Sequence, residues 1–196
     1  MRERPRFWRW YRTLPILAML VVVGLSHGLS VMPTSLARRY LFPVSYREAI
    51  LTSSERHGVD PKLVCAIIKC ESNWDASAVS DAGAVGLMQL MPSTSQELAD
   101  YGLVDVWGYD PSDLTTPETN IEYGCAYLQQ LDSLLGSTDE VICAYNAGPG
   151  SVEGWLSGGG DISDVIAFPE TALYLKRVQE SYRSYQMCYD ETLSER

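Results

Sequence analysis

One glutamate stands out as a side chain that could move a proton. Glu71 lies in the run Cys70-Glu71-Ser72-Asn73-Trp74. The glycine-bearing run Gly83-Ala84-Val85-Gly86-Leu87-Met88-Gln89-Leu90-Met91-Pro92 follows it. Further on come Ala144-Tyr145-Asn146-Ala147-Gly148 and Pro169-Glu170-Thr171. Each is a weak signal alone. In this order they set one acidic side chain at a helix end, with polar and glycine-rich segments arranged to meet it. Polar residues at helix ends, interrupted by glycines, suit a cleft that approaches a ligand closely.

Helical patterns supply the scaffold. Tyr46, Ala49 and Ile50 share one face of a helix ending near His57-Gly58, and His57 reads as the end of a surface helix. Asp60 before Pro61 reads as an N-cap with proline at the first helical position. Leu63, Ile67 and Glu71 follow at i, i+4 and i+8, which brings Glu71 out near the apolar face in the last turn. A carboxyl group there is half desolvated. Asn73 to Gly86 reads as a loop. Ser93-x-x-Gln96 reads as a capping box opening a helix to about Asp100. Tyr101 to Pro117 is turn-rich. Amphipathic or buried helices follow over Thr119–Leu135, Asp139–Tyr145 and Thr171–Tyr189, with a further turn at Ser151–Leu156 and a break at Gly158-Gly159-Gly160. No convincing strand alternation occurs, so the expected class is all-α.

Composition narrows the partners. Apolar residues make up 46% and charged residues 20%, ordinary values for a globular chain. Five of the 15 basic residues but one of the 25 acidic residues fall in the first twelve positions, leaving 10 against 24, a net of −14. Such acidity excludes nucleic acid as a partner, because phosphate binding needs a basic surface. The arginines precede an uncharged run from Leu14 to Leu25, which continues more weakly to Met32. At 1.5 Å per residue the whole run spans about 28 Å, near a bilayer's hydrocarbon core. We read residues 1–32 as a membrane anchor with its arginine-rich end in the cytoplasm, the alternative being a signal peptide cut near Ser35-Leu36-Ala37. Either way the folded part is extracytoplasmic. Residues 33–43 form a stem, 44–189 the folded domain and 190–196 a tail. The five cysteines match no zinc spacing and only two histidines are present, so no metal site is expected. Cys65, Cys125 and Cys143 read as buried thiols, and the sequence leaves one disulfide open without choosing a pair.

The four motifs resemble the Slt-type (soluble lytic transglycosylase) family of lytic transglycosylases, within the lysozyme-like superfamily. The resemblance runs from about Tyr46 to Val178 and rests on Glu-Ser-x-Trp-Asp, Gly-Leu-Met-Gln-x-Met-Pro, Ala-Tyr-Asn-Ala-Gly and Pro-Glu-Thr-x-x-Tyr in the family's order. It implies a lysozyme-like helical domain whose substrate is peptidoglycan, cut between N-acetylmuramic acid and N-acetylglucosamine. It implies no cofactor. It makes Glu71 the single catalytic acid and base and sets Ser80 toward the substrate's N-acetyl group. Gln89 and Met91 would line sugar subsites. Tyr145 would hydrogen-bond and orient the catalytic carboxyl, with Asn146 beside it on sugar. Glu170 would bind near the muramic acid, and Tyr174 would support that wall.

The chemistry is coherent. Glycosidases usually employ two carboxylates, and a lone acid requires the substrate's 2-acetamido oxygen to stabilise the oxocarbenium-like centre. Glu71 would protonate the leaving oxygen and then take the proton of the muramic acid 6-hydroxyl, which closes a 1,6-anhydro ring. The first step needs a carboxyl protonated near neutral pH, against an ordinary glutamate pKa of about 4.3. Burial beside Ile67 and Trp74 is expected to raise it. Two alternatives stand beside this reading. A hydrolytic muramidase of the goose-type lysozyme kind would use water, with Asp75 as second carboxylate. Otherwise Asp75 only braces the loop. A non-catalytic wall-binding or secretion-associated module would keep the groove alone. Glu170 equally fits a first-turn glutamate placed by the helix dipole.

Overall fold

The computed structural model describes residues 7–30, 41–190 and 192–194. The chain divides into two units, Met1–Leu41 and Phe42–Arg196. The first contains α1 (Phe7–Ser30), which carries Pro15 within it. From Leu14 to Val23 its large apolar side chains are all more than half exposed. Among the described residues no helix is long and apolar enough to cross a membrane. The cleavage segment Ser35-Leu36-Ala37 and the last residues of the expected span lie outside the described residues.

The second unit is helical: α2 (Arg47–His57), α3 (Pro61–Glu71), α4 (Pro92–Asp100), α5 (Pro117–Leu134), α6 (Thr138–Ala147), α7 (Pro149–Leu156), α8 (Ile162–Val165) and α9 (Pro169–Cys188). Five of these open on proline, whose fixed φ presets the first turn and whose missing N–H costs nothing there. Asp60 caps α3 as expected, its side chain accepting the Lys62 N–H at 2.8 Å. Gly58 ends α2 at φ 68°, a left-handed position natural to glycine. Among the described residues the extended pairings are two isolated antiparallel bridges, Val79 with Val85 and Val85 with Leu90.

The core forms around α3. Every residue from Lys62 to Ile68 is buried, so this helix is enclosed on all sides rather than on one stripe. It packs on α9 and α2; α2 packs on α5, and α6 joins α5 to α9. Fully burying a side chain such as Ile67 contributes about 1.5–3 kcal/mol. The enclosure leaves the polar C-terminal turn of α3 as the part that reaches the surface.

Two expectations are corrected, and one short helix is added. The capping box at Ser93 does not form: the N-cap lies two residues earlier, at Met91, with no side-chain cap. Pro92 presets the first helical position, and Ser95 Oγ instead donates to the carbonyls of Pro92 (3.0 Å) and Pro111 (2.9 Å). His57 ends α2 but is buried against α5, not set in water. The short helix α8 was not expected at all. All five cysteines are free thiols, and Cys65, Cys125 and Cys143 are buried as the sequence suggests. Burial pushes the Cys143 thiol up to about 12.

Candidate active site

The site is built at the C-terminal end of α3, where the helix runs out of apolar residues. Glu71 occupies the last helical position and is half-buried. Beyond Ser72 the chain turns sharply, with Asn73 at φ 52° and Trp74 at φ 71°. Asparagine tolerates the left-handed region. A tryptophan there is strained by about 1–3 kcal/mol and persists only when its surroundings hold it. The surroundings do so: Lys69 Nζ donates to Asn73 Oδ1 at 2.5 Å, and the Trp74 indole N–H donates to the Tyr185 hydroxyl at 3.1 Å.

Two tyrosines face the Glu71 carboxyl. Tyr174, buried on α9, donates its hydroxyl to Glu71 Oε1 at 2.6 Å. Tyr145, on α6, was expected to make that bond. Its hydroxyl instead donates to the Met88 carbonyl at 2.9 Å, and its ring lies 5.3 Å from that of Tyr127. Burial, reinforced by the Glu71 charge, holds both phenols well above their ordinary pKa, so they are donors throughout the physiological range. The same desolvation raises the Glu71 carboxyl, against the opposing pull of the Tyr174 hydrogen bond and the Arg177 charge. Arg177 stands one turn beyond Tyr174 with its guanidinium 5.8 Å from that ring's centre. Desolvation wins, and a carboxyl with raised pKa beside a single hydrogen-bond donor can serve as a general acid.

The loop after α3 supplies the opposite wall. Ser80 and Ala84 close a turn, with Ser80 Oγ accepting the Ala84 N–H at 3.0 Å. Gln89 sits at φ 48°, another left-handed residue, and its Nε2 donates to the carbonyls of Ala78 (3.1 Å) and Gly86 (3.0 Å). Those bonds leave the Gln89 Oε1 as its remaining polar atom. Met91 is exposed at the start of α4. Asn146 Oδ1 accepts the Thr171 hydroxyl at 2.8 Å, tying the end of α6 to the start of α9, where Glu170 is exposed in the first turn. The structure therefore brings Glu71, Tyr145, Tyr174 and the Met88–Gln89 turn together, and Asn146 and Glu170 lie on the α6–α9 side. Asp75 is exposed and its Oδ1 accepts from Ser77 N–H (2.9 Å) and Oγ (2.7 Å). It braces the loop.

Sequence reasoning missed the helix α5 contribution. Asn120 is fully buried and bonds the loop backbone at Met88 and Val85. Its signal was available: Asn120 and Gly124 stand at i, i+4 on one face, beside the apolar Ile121 and Cys125. An added Cβ at Gly124 would fall on the Met88 thioether, so a larger residue there would force the Met88 side chain out of its present place against α5. A cavity of about 140 Å³ lined by His57, Asp60, Gln129, Asp132 and Tyr182, among others, shares no residue with this group. Among the described residues no cluster of potential metal ligands occurs.

Comparison with known proteins identifies the family and fold. The Transglycosylase SLT domain family matches residues 48–164, more than half of the chain. The soluble lytic murein transglycosylase of Escherichia coli (strain K12) is 34% identical over 162 residues, covering 78% of this chain and 25% of that protein. An endo-type membrane-bound lytic murein transglycosylase A from Klebsiella pneumoniae is 46% identical over 92 residues, 45% of this chain and 44% of that one. Among solved structures, an inactive mutant of the lytic transglycosylase Slt from Pseudomonas aeruginosa superposes with TM-score 0.68 at 29% identity, covering 80% of this chain and 27% of that chain. The 70 kDa soluble lytic transglycosylase of Escherichia coli gives 0.67 at 32% identity, covering 79% and 26%. The chain thus spans about a quarter of the length of several relatives it matches. With a lysozyme-like helical fold, a half-buried glutamate at a helix end and a matching family profile over the same segment, the chain belongs to the Transglycosylase SLT domain family.

Proposed function

We propose that this chain is a peptidoglycan lytic transglycosylase that cuts the bond between N-acetylmuramic acid and N-acetylglucosamine and leaves 1,6-anhydro ends. The observation that carries the reading is the state of Glu71: half-buried, raised in pKa by desolvation, and held by one phenol rather than by a cation or a second acid. Asp75, the alternative second carboxylate, is exposed and its hydrogen bonds to Ser77 hold it below the usual carboxylate range. Glu71 protonates the glycosidic oxygen as the C1–O bond breaks. The substrate's acetamido oxygen takes up the electron deficiency at C1. Glu71, now a carboxylate, accepts the proton of the 6-hydroxyl, whose oxygen bonds C1 and displaces the acetamido oxygen. Tyr174 holds the carboxyl in register for both transfers. Ser80, Gln89, Met91, Tyr145, Asn146 and Glu170 border the glycan strand. The relatives, lytic murein transglycosylases both soluble and membrane-bound, support this substrate and an extracytoplasmic place of action. Anchoring through the apolar part of α1 is our reading of the N-terminal unit.

Mass spectrometry of muropeptides released from purified cell wall tests the proposal. Wild-type protein is expected to produce anhydro ends and Glu71→Gln to release nothing. Reducing ends would instead identify a hydrolase, and release at the wild-type rate by Glu71→Gln would remove Glu71 from the chemistry.

A further inference from the structure

The turn that faces Glu71 is fastened by side chains from α5, from α6 and from Ser72 just after α3, and the first of them makes no hydrogen bond to the acid. Asn120 on α5 is fully buried, and its carboxamide is saturated by backbone groups from elsewhere in the chain. Its Oδ1 accepts the Met88 N–H at 2.7 Å, and its Nδ2 donates to the carbonyls of Val85 (2.8 Å) and Leu114 (2.9 Å). The Leu87–Met88 peptide is thereby gripped on both edges. Its N–H goes to Asn120, and its carbonyl accepts the hydroxyl of Ser72, the residue next to Glu71, at 2.8 Å. The next carbonyl, that of Met88, accepts the Tyr145 hydroxyl. Space around this grip is closed. A Cβ at Gly86 would meet the Asn120 carboxamide and lie 2.5 Å from the Leu114 carbonyl oxygen, and Met88 fills the notch left by Gly124 one turn along α5.

We infer that Asn120 is a positioning residue for the reaction: it fixes the Leu87–Met88 peptide, and through that peptide it fixes Ser72 and Tyr145 against Glu71. The inference rests on the catalytic reading of Glu71. A carboxamide is the fitting group because one planar unit must present one acceptor and two donors. No aliphatic residue replaces it without leaving buried backbone groups unpaired.

A double-mutant cycle on a defined glycan oligomer tests it, using Asn120→Ala, Tyr145→Phe and their combination, with activity expressed per folded molecule. Asn120→Ser serves where the alanine variant does not fold. Asn120→Ala is expected to lower kcat at least about tenfold with KM changed less than about threefold. In combination with Tyr145→Phe the loss should fall well short of the product of the two single losses, since both act through one peptide. The basic limb of the pH profile should move to lower pH as water reaches Glu71 and its desolvation lessens. Single losses that multiply, or a kcat within about twofold of wild type beside a lowered melting temperature, would reduce Asn120 to a packing residue. Carboxyl-carbon NMR titration of Glu71 separates this inference from the functional reading. If the wild-type protein releases no anhydro product, the function fails, yet a fall of the Glu71 midpoint by about half a unit or more in the Asn120 variant still upholds the grip, and an unmoved midpoint overturns it.

Discussion

Two glutamates removed from water end in opposite states, and their surroundings show why. Glu122, in the middle of α5, is fully buried, yet its carboxylate is held down to about 2. Desolvation there acts against ionisation, but His57 Nε2 (3.0 Å), Ser53 Oγ (2.5 Å) and the Arg56 guanidinium all bond the carboxylate and outweigh it. Glu71 keeps some contact with solvent, and its pKa goes up because desolvation is its largest influence. It has one phenol and a more distant arginine to set against the same penalty. Desolvation acts on both, and the number and charge of the donors set against it decide which carboxyl keeps its proton. The well-partnered glutamate clamps α2 to α5; the poorly partnered one is left able to react.

The widest separation between the two should come from neutralising the clamp. Glu122→Gln leaves the buried His57 beside an uncharged amide, while the half-exposed Arg56 can turn to solvent; breaking a buried pair such as His57–Glu122 costs about 3–5 kcal/mol. Urea denaturation at neutral pH should show that loss. In the wild type the contribution of Glu122 is present above its ordinary value of 4.5 and drains away as pH falls toward about 2, so the variant should lack that acid-side decline. His57 adds the opposite dependence. Burial lowers its pKa, but the bonds to Glu122 and Gln129 raise it more, so its contribution is complete below 6.5 and fades as pH rises through the folded value. A smaller effect is expected at the reactive carboxyl. Tyr174→Phe removes its only phenolic donor and should slow turnover about 10- to 100-fold. Because that bond favours the ionised form, its loss raises the Glu71 pKa, and the basic limb of the rate profile should move to higher pH. A shift to lower pH would contradict the assignment. The smallest effect inverts the first. Between 4.5 and its raised folded value, Glu71 binds more protons folded than unfolded, so its ionisation weakens the fold at neutral pH. Glu71→Gln should therefore stabilise the protein by about 0.5–2 kcal/mol at pH 7, with the gain vanishing in acid. A melting curve at two pH values checks it.

Much of the scaffold was legible because local signals agreed with tertiary packing. Asp60-Pro61 and Gly58 bound their helices where cap chemistry predicts, and the period through Leu63 and Ile67 delivered Glu71 to the last turn. Ser93 misled because two start signals overlapped and Pro92 prevailed. Identical side chains were harder. Nothing in the spacing of Tyr145 and Tyr174 says which phenol reaches the carboxyl, since that depends on how closely α9 and α6 approach the end of α3. His57 and Glu122 were invisible for a related reason: the sequence marks each as polar, and only the meeting of α2 with α5 makes them a buried pair. Asn120 carried a usable pattern with Gly124, which becomes readable once the loop it serves is known.

The twisted backbone after Glu71 has a practical consequence. Trp74 is kept in its left-handed pose by the Tyr185 hydroxyl, which in turn donates to the Pro43 carbonyl at 3.0 Å. The strain beside the acid is thus anchored at both extremities of the folded unit, well outside the 48–164 segment that the family profile covers. A version trimmed to the profile limits would lose both Tyr174 and the Pro43 foothold, so a piece that keeps the acid's surroundings must include at least Pro43 and α9 through Tyr185.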